Sequence, residues 1–377
     1  MSYYILPKIN NLISINPTDS GDIISPYSSH SLYNYYNSFV EQIDQICNSE
    51  IDRIKFNYKE LIKIIHPFEY IFSKVPGNKY SVSKLKPSTN MFYDLFEICS
   101  TLNILESYTN KITTLHISKT NDTVNCIEMI RENYSDDLTF YDKVNDNLLK
   151  NTYVKKFDFL FFETDINNNL NEYFISLIKN VMIILKNQEY GGTSIIKINS
   201  IFHKPVYDIL YLLSSIYEKV HIIKPNTSNI TTFDKYIVCK NFNTNNNTNL
   251  KYNYYKLMVF LKKIEDKNVV SILDNSMPYY FLSKINDMNV IIGQQQLEYL
   301  NLIINFLKNK NKEEKIEIIK KNNINKCIAW CEKYNIPCNK FIEKINIFLP
   351  ENKEQEQEKE QDGEENKEKE QEQEQDL

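Results

Sequence analysis

Glycine is almost missing from this chain. Among 377 residues only Gly21, Gly77, Gly191, Gly192, Gly293 and Gly363 occur, so the stretch from 78 to 190 contains none. Any site there that needs a tight turn, or a backbone approached closely by a ligand, must be built from residues that carry a Cβ. Arginine is scarcer still, with only Arg53 and Arg131, while Asn, Ile, Lys and Tyr abound. That combination follows AT-rich codons, so the polar composition reports genome bias more than function. No apolar run reaches the roughly 20 residues of a membrane-spanning helix. The start, MSYYILPKIN, lacks the basic segment, apolar stretch and small-residue cleavage site of a secretory signal. Seven scattered cysteines, an odd number, favour reduced thiols over a disulfide framework. The expectation is a cytoplasmic protein with no membrane partner.

What is present falls into four parts. Residues 1–84 form an N-terminal region read as helical, with Leu32, Tyr36, Phe39, Val40, Ile43 and Ile46 at three- and four-residue spacing. Residues 85–245 carry short β-rich runs, TTLHIS (113–118), DLTFY (137–141), FDFLFF (157–162), TSIIKI (193–198), KVHII (219–223) and KYIVC (235–239), separated mostly by helical stretches. Buried strands alternating with helices predict an α/β, Rossmann-like doubly wound sheet with helices on both faces, flanked by N- and C-terminal helical segments. Residues 246–350 read as a helical extension, with helices over 253–266, 292–310 and 323–346. The last 27 residues, 351–377, hold 13 acidic and 4 basic residues and cannot bury a core. That tail has a net charge of −9, so within a chain of −5 the body 1–350 is about +4. A mildly basic body is compatible with a polyanion partner.

In an open parallel sheet the ligand sits beyond the carboxyl ends of the strands. After Ser118 comes Lys119-Thr120-Asn121-Asp122-Thr123-Val124, leading into a helix with no glycine for a nucleotide-type turn; a plain strand-to-helix connection is the simpler reading. Glu163 and Asp165 follow the next apolar strand and can serve as general base or metal ligand, or equally as a polar strand exit and helix cap. Lys197 ends an apolar strand; half-buried, it can take part in proton transfer, or it can snorkel to solvent. The loop from Lys224-Pro225 to Asp234 can line a groove or be a solvated connection. Cys327, Cys331 and Cys338 lack a fourth ligand, and Cys327 and Cys331 share a helix face near Trp330, so a packed helix is expected and no metal site.

Gly191-Gly192-Thr193-Ser194-Ile195-Ile196-Lys197, then a helix, then Lys224-Pro225, Ser228-Asn229 and Asp234-Lys235-Tyr236-Ile237-Val238-Cys239, resembles the FtsJ-like (RrmJ-type) RNA 2′-O-ribose methyltransferases, especially the cap-methylating branch of large DNA viruses. Leu115-His116-Ile117-Ser118 leading to Ile127-Glu128-Met129-Ile130 resembles the family's strand–PGGF–helix element. Asp158 to Glu163 resembles its D-L-V-x-x-D strand, Asp94-Leu95-Phe96-Glu97-Ile98 its K-L-x-E-I helix, and 326–334 the helical extension of viral members. The resemblance covers roughly 85–340. It implies S-adenosylmethionine as cofactor if the chain is active and none otherwise, with RNA, or a protein partner in a capping or RNA-processing complex, as the molecule bound. A viral member would sit in a viral factory or virion.

The family's catalytic Lys-Asp-Lys-Glu tetrad falls on Asp94, Glu163, Lys197 and Asp234, so only Lys197 is kept. The cofactor loop falls on Ser118, Lys119, Asn121 and Asp122, without Pro or Gly. An error of about 1 Å in placing a catalytic group can cost roughly 10²-fold in rate, and three of the four groups are changed. The resemblance therefore implies a methyltransferase fold with degenerate catalysis, used as a binding or scaffold subunit. The alternatives are an active enzyme with a rebuilt cofactor loop, or a virion structural protein.

Overall fold

A computed structural model describes residues 2–339, apart from 50–57, 76–78, 145–147, 150–154, 165–168, 200, 244–248, 265–266 and 309–312. The acidic tail and Asp165 lie outside the described residues. Seven strands form one sheet: β1 (Ser2–Leu6), β3 (Thr113–Ile117), β4 (Asp137–Tyr141), β5 (Phe157–Glu163), β6 (Gln188–Ile198), β7 (Tyr217–Lys224) and β8 (Lys235–Phe242), in the order β1-β7-β8-β6-β5-β3-β4. The strands β4, β3, β5 and β6 are parallel neighbours, whereas β8 runs antiparallel between β6 and β7.

The sheet is covered on both faces, and the side-chain alternation along its strands shows how. Leu115, Ile117, Leu160, Phe162, Ile196 and Ile198 point to the face covered by α5 (Leu170–Asn187) and α6 (Lys204–Ile216), in one continuous apolar core. His116, Phe161 and Tyr236 point to the other face, where α3 (Met91–Leu102) and α4 (Asp122–Ile130) lie; Tyr236 bonds to α3 and His116 to Thr123 of α4. This double cover explains why β5 reads as a near-unbroken apolar run. Local signals set the helices. Asn169 caps α5 by accepting from the Asn171 and Glu172 amides, Glu172 and Lys186 complement its dipole, and Pro205 opens α6. Asn103, at φ 48°, ends α3 in the left-handed conformation.

The flanking regions depart from the helical expectation. The N-terminal part contains α1 (His30–Ser49) and α2 (Tyr58–Ile65), but also β1, which joins the main sheet antiparallel to β7, and β2 (Ile15–Ser20). The partner of β2 is β9 (Asn268–Leu273), which interrupts the helical extension between α7 (Leu250–Lys263) and α8 (Tyr279–Lys308). The last described helix, α9 (Glu313–Lys333), stops well short of 346. Asn335 takes φ 54° and Pro337 removes a donor, so the chain turns out and Cys338 bridges to Ser83. Residues 1–339 form one compact unit. Among the described residues no helix is long and apolar enough to cross a membrane.

Gly191-Gly192 has a structural explanation. Gly191 has φ +73°, and a Cβ on Gly192 would meet the Asp158 carbonyl at 2.7 Å and that of Glu189 at 2.9 Å. The pair lies near the amino end of β6, beside a register shift against β5, and so away from the edge where ligands bind.

Candidate functional site

The chain leaves β3 through α4 for β4 on one side, while β5 lies on the other side of β3. The carboxyl ends of β3 and β5 therefore diverge, which is the place where doubly wound sheets bind ligands. A cleft of about 530 Å3 opens there, bordered by Ser118, Lys119, Asp142, Glu163, Thr164 and Tyr173 among others. Side chains of 120–124 do not border it. None of these residues has a left-handed φ, so the turn is made in ordinary backbone geometry without glycine.

The turn is closed from the neighbouring strand. One Glu163 carboxylate oxygen accepts from the Ser118 hydroxyl and from the Lys119 backbone amide, each at 2.9 Å. Its other oxygen faces the Lys197 ammonium at 3.6 Å, directly across the β5–β6 register. Asp122 is buried and turned away from the cleft. It accepts from the Ser88 amide at 2.9 Å, from the Thr89 amide and hydroxyl at 2.6 Å each, and from the Thr120 hydroxyl at 3.1 Å. Asn121 sits at the N-cap of α4 without a side-chain cap bond. Of the four residues at the cofactor-loop positions, Ser118 and Lys119 reach the cleft, and the Ser118 hydroxyl and Lys119 backbone amide both donate to Glu163.

Asp94 is one of three polar residues, with Asn90 and Glu97, that α3 turns toward the loop after β7. Asp94 accepts from the Thr227 hydroxyl and, at 2.8 Å, from the Tyr236 hydroxyl. Glu97 accepts from the Asn226 amide at 2.9 Å and its side-chain nitrogen at 2.8 Å, and Asn90 donates to the Thr227 carbonyl at 3.2 Å. Burial pushes the Asp94 carboxyl up to about 6, opposed by those hydroxyls and by the Lys197 and Lys224 cations. Burial likewise raises Glu97 to about 7. From the opposite side His66 holds the same loop, 3.0 Å from the Ser228 carbonyl, its imidazole kept neutral by burial that lowers it to about 4.

Tyr236 lies across from Lys197 in the β6–β8 register, so Asp94, Glu163, Lys197 and Tyr236 converge at one sheet edge. Asp234 is held apart from this group. It accepts from Asn199 at 2.7 Å, and its carbonyl takes one of three bonds from the buried Lys224 ammonium, whose other acceptors are the Asn229 and Thr232 carbonyls. Burial lowers Lys224 to about 8 and Lys235 to about 7. Lys224 thus organises the loop, and with Pro225, Asn226, Phe68 and Tyr299 it also lines a second cavity of about 560 Å3.

Three participants escaped the sequence reading. Asp142, exposed just past β4, occupies the place of the acidic residue that in doubly wound domains follows the first turn by roughly 20 residues; that spacing was the available signal. Thr227 and Tyr236 had none, because their role comes from Asp94, more than a hundred residues earlier. Cys327 and Cys331 are buried on α9, with Cys327 donating to the Pro67 carbonyl at 3.3 Å, and all seven cysteines are free. Among the described residues no cluster of three or more His, Cys, Asp or Glu could hold a metal ion.

No protein-family profile matches the chain. A stretch of 63 residues is 35% identical to the cap-specific mRNA (nucleoside-2′-O-)-methyltransferase 2 of Drosophila melanogaster, covering 17% of this chain and 9% of that protein's length. Among solved structures, a probable spermidine synthase from Corynebacterium glutamicum superposes with a TM-score of 0.29 at 8% identity, over 54% of this chain and 88% of that one. The phosphoethanolamine N-methyltransferase 2 of Haemonchus contortus, in complex with S-adenosyl-L-methionine, gives 0.27 at 12% identity, over 41% of this chain and 38% of that one. At such scores the superpositions carry no argument. The chain is a doubly wound α/β protein, one short stretch of which is similar to a cap-specific mRNA 2′-O-methyltransferase.

Proposed function

We propose that this chain is a methyltransferase-type α/β protein related to the RNA 2′-O-methyltransferases, that it has lost methyl transfer, and that it serves as a binding subunit in RNA processing. The observation that carries this reading is the bond from the Lys119 amide to Glu163, which uses the donor of the turn where a cofactor would lie. Asp94 supports it: the position of a family lysine holds a buried carboxylate whose two oxygens are both engaged, one by Thr227 of the 225–229 loop and the other by Tyr236 of β8. Lys197 keeps its position but faces Glu163 and the Asp94 carboxylate. No second lysine lies at the Asp94 position to depress its basicity by like charge. Incubating the purified chain with labelled S-adenosylmethionine and capped RNA tests the reading; no transfer above that of the Lys197→Ala variant is expected.

One observation favours a second reading, an active enzyme with a rebuilt turn. The cleft beyond Ser118 and Glu163 is open and has Asp142 on its rim. Methyl transfer abolished by Lys197→Ala would establish that alternative and overturn the first.

A further inference from the structure

Away from the sheet edge, a second feature points to a ligand. The segment 79–87 runs as a ribbon between the 3-10 turn at Glu69–Ile71 and the strand-like exit at 337–339. Its backbone is fixed on both sides. The Val82 and Ser83 amides donate to the Tyr70 and Ile71 carbonyls at 2.8 and 3.0 Å; the Lys84 amide donates to Pro337 at 2.8 Å; and the Asn339 amide donates to Val82 at 2.7 Å. The Tyr93 hydroxyl holds the Leu85 carbonyl at 3.1 Å. Along the segment Ser83 is buried and Leu85 half-buried, while Lys84 and Lys86 are exposed.

The outward side chains border a cavity of about 640 Å3 together with Lys74, Lys79, Phe72 and Tyr80. All four lysines are exposed, and among the described residues no carboxylate lines the cavity and none makes an ion pair with any of the four. Tyr80 is 58% exposed on the same wall. Four exposed cations, three of them on the ribbon, with an exposed ring between them, match a chain of phosphates that carries flat bases: the cations take the phosphates and the ring takes a base. A compact phosphate or a phosphopeptide would use the cations but leave the ring idle. The ribbon also leads to α4. Two residues after Lys86, the Ser88 and Thr89 amides bond to Asp122, at the start of the helix that follows Lys119.

We infer that this cavity is a binding site for single-stranded nucleic acid, built by Lys74, Lys79, Lys84, Lys86 and Tyr80. The inference does not depend on the loss of methyl transfer: a chain that bound oligonucleotide and transferred methyl groups would keep this site and lose the reading above. The test is fluorescence anisotropy of the full chain with labelled ten-nucleotide oligo(U) and oligo(dT) across a salt series, with inositol hexakisphosphate and a phosphoserine peptide as competitors. Binding on the order of 10⁻⁶–10⁻⁴ M is expected at moderate salt. Lys84→Ala/Lys86→Ala should reduce the magnitude of the log–log salt slope by about 1.4, two contacts at roughly 0.7 each. Tyr80→Ala should weaken binding about 5- to 100-fold while Tyr80→Phe keeps it, the stacking of one base being lost and restored. Tighter oligo(U) binding would identify the ribose chain as the occupant, and equal binding the phosphodiester; either upholds the site. An unchanged slope in the lysine double variant overturns it, provided circular dichroism shows that variant folded. So does an inert Tyr80→Ala variant, a phosphopeptide or hexakisphosphate that binds as tightly as the oligomer, or no binding at low salt.

Discussion

Glu163, at the end of β5, accepts the backbone amide of Lys119, the second residue past β3, at 2.9 Å. A carboxylate from one strand therefore closes the turn of its neighbour, in the crevice where a doubly wound sheet would receive a ligand. The same carboxylate takes the Ser118 hydroxyl and faces Lys197. Three elements of the sheet edge are thus tied to one side chain. The edge is organised around its own polar groups.

Asp94 makes this organisation depend on pH. Its folded carboxyl titrates near 6, above the ordinary value of 3.8, because burial disfavours the charge. The folded state therefore holds this proton more tightly than the unfolded chain. The contribution is fully present below about pH 4 and is lost as pH rises through about 6. Asp94→Asn removes the titration but leaves Lys224 and Lys235 charged over that window. Thermal melts from pH 4 to 7 should show the Asn variant gaining on the wild type by up to roughly 3 kcal/mol; parallel curves for the two proteins would contradict the assignment.

Lys235 has the opposite sign. Burial depresses its ammonium to about 7 against an ordinary 10.5, so the folded state disfavours the proton and the lysine costs stability below pH 7. An apolar chain of similar volume avoids the desolvation cost of the buried ammonium. Lys235→Met should raise stability to urea at pH 6, with the gain shrinking toward pH 10. A gain that grew with pH would show that the wild-type ammonium is stabilised in the folded state.

Gly192 is needed for the sheet, not for chemistry. An added Cβ would meet the Gln188 side-chain amide and two backbone carbonyls, and the carbonyls cannot move cheaply. Gly192→Ala should destabilise the protein by about 1–3 kcal/mol without altering oligonucleotide affinity. Gly293 offers the contrast: its obstruction is the flexible Leu32 side chain, and Gly293→Ala should cost less.

The parts of the fold legible in the sequence were those with local causes. The near-unbroken apolar run of β5 and the β-rich stretch ending at Lys197 each announce their element. What stayed hidden depends on partners far along the chain. The polar sequence of β2, INPTDS, carries a proline and becomes a strand only by pairing with β9 about 250 residues later. The register between Ser2–Leu6 and β7 is equally non-local. At the site, the resemblance located Asp94, Glu163 and Lys197, and the structure brings them together with Tyr236. It could not show that Asp94 clamps Thr227 and Tyr236, or that Asp122 faces the 88–89 segment, because those contacts exist only once α3 has packed on the sheet.

The closed turn at Lys119 is the central claim, and calorimetric titration of the full chain with S-adenosylmethionine tests it most directly. The account predicts no binding heat up to millimolar cofactor while circular dichroism shows the protein folded. Saturable binding at micromolar concentration, weakened by substitution of Asp142, would contradict it and establish a cofactor site rebuilt without glycine.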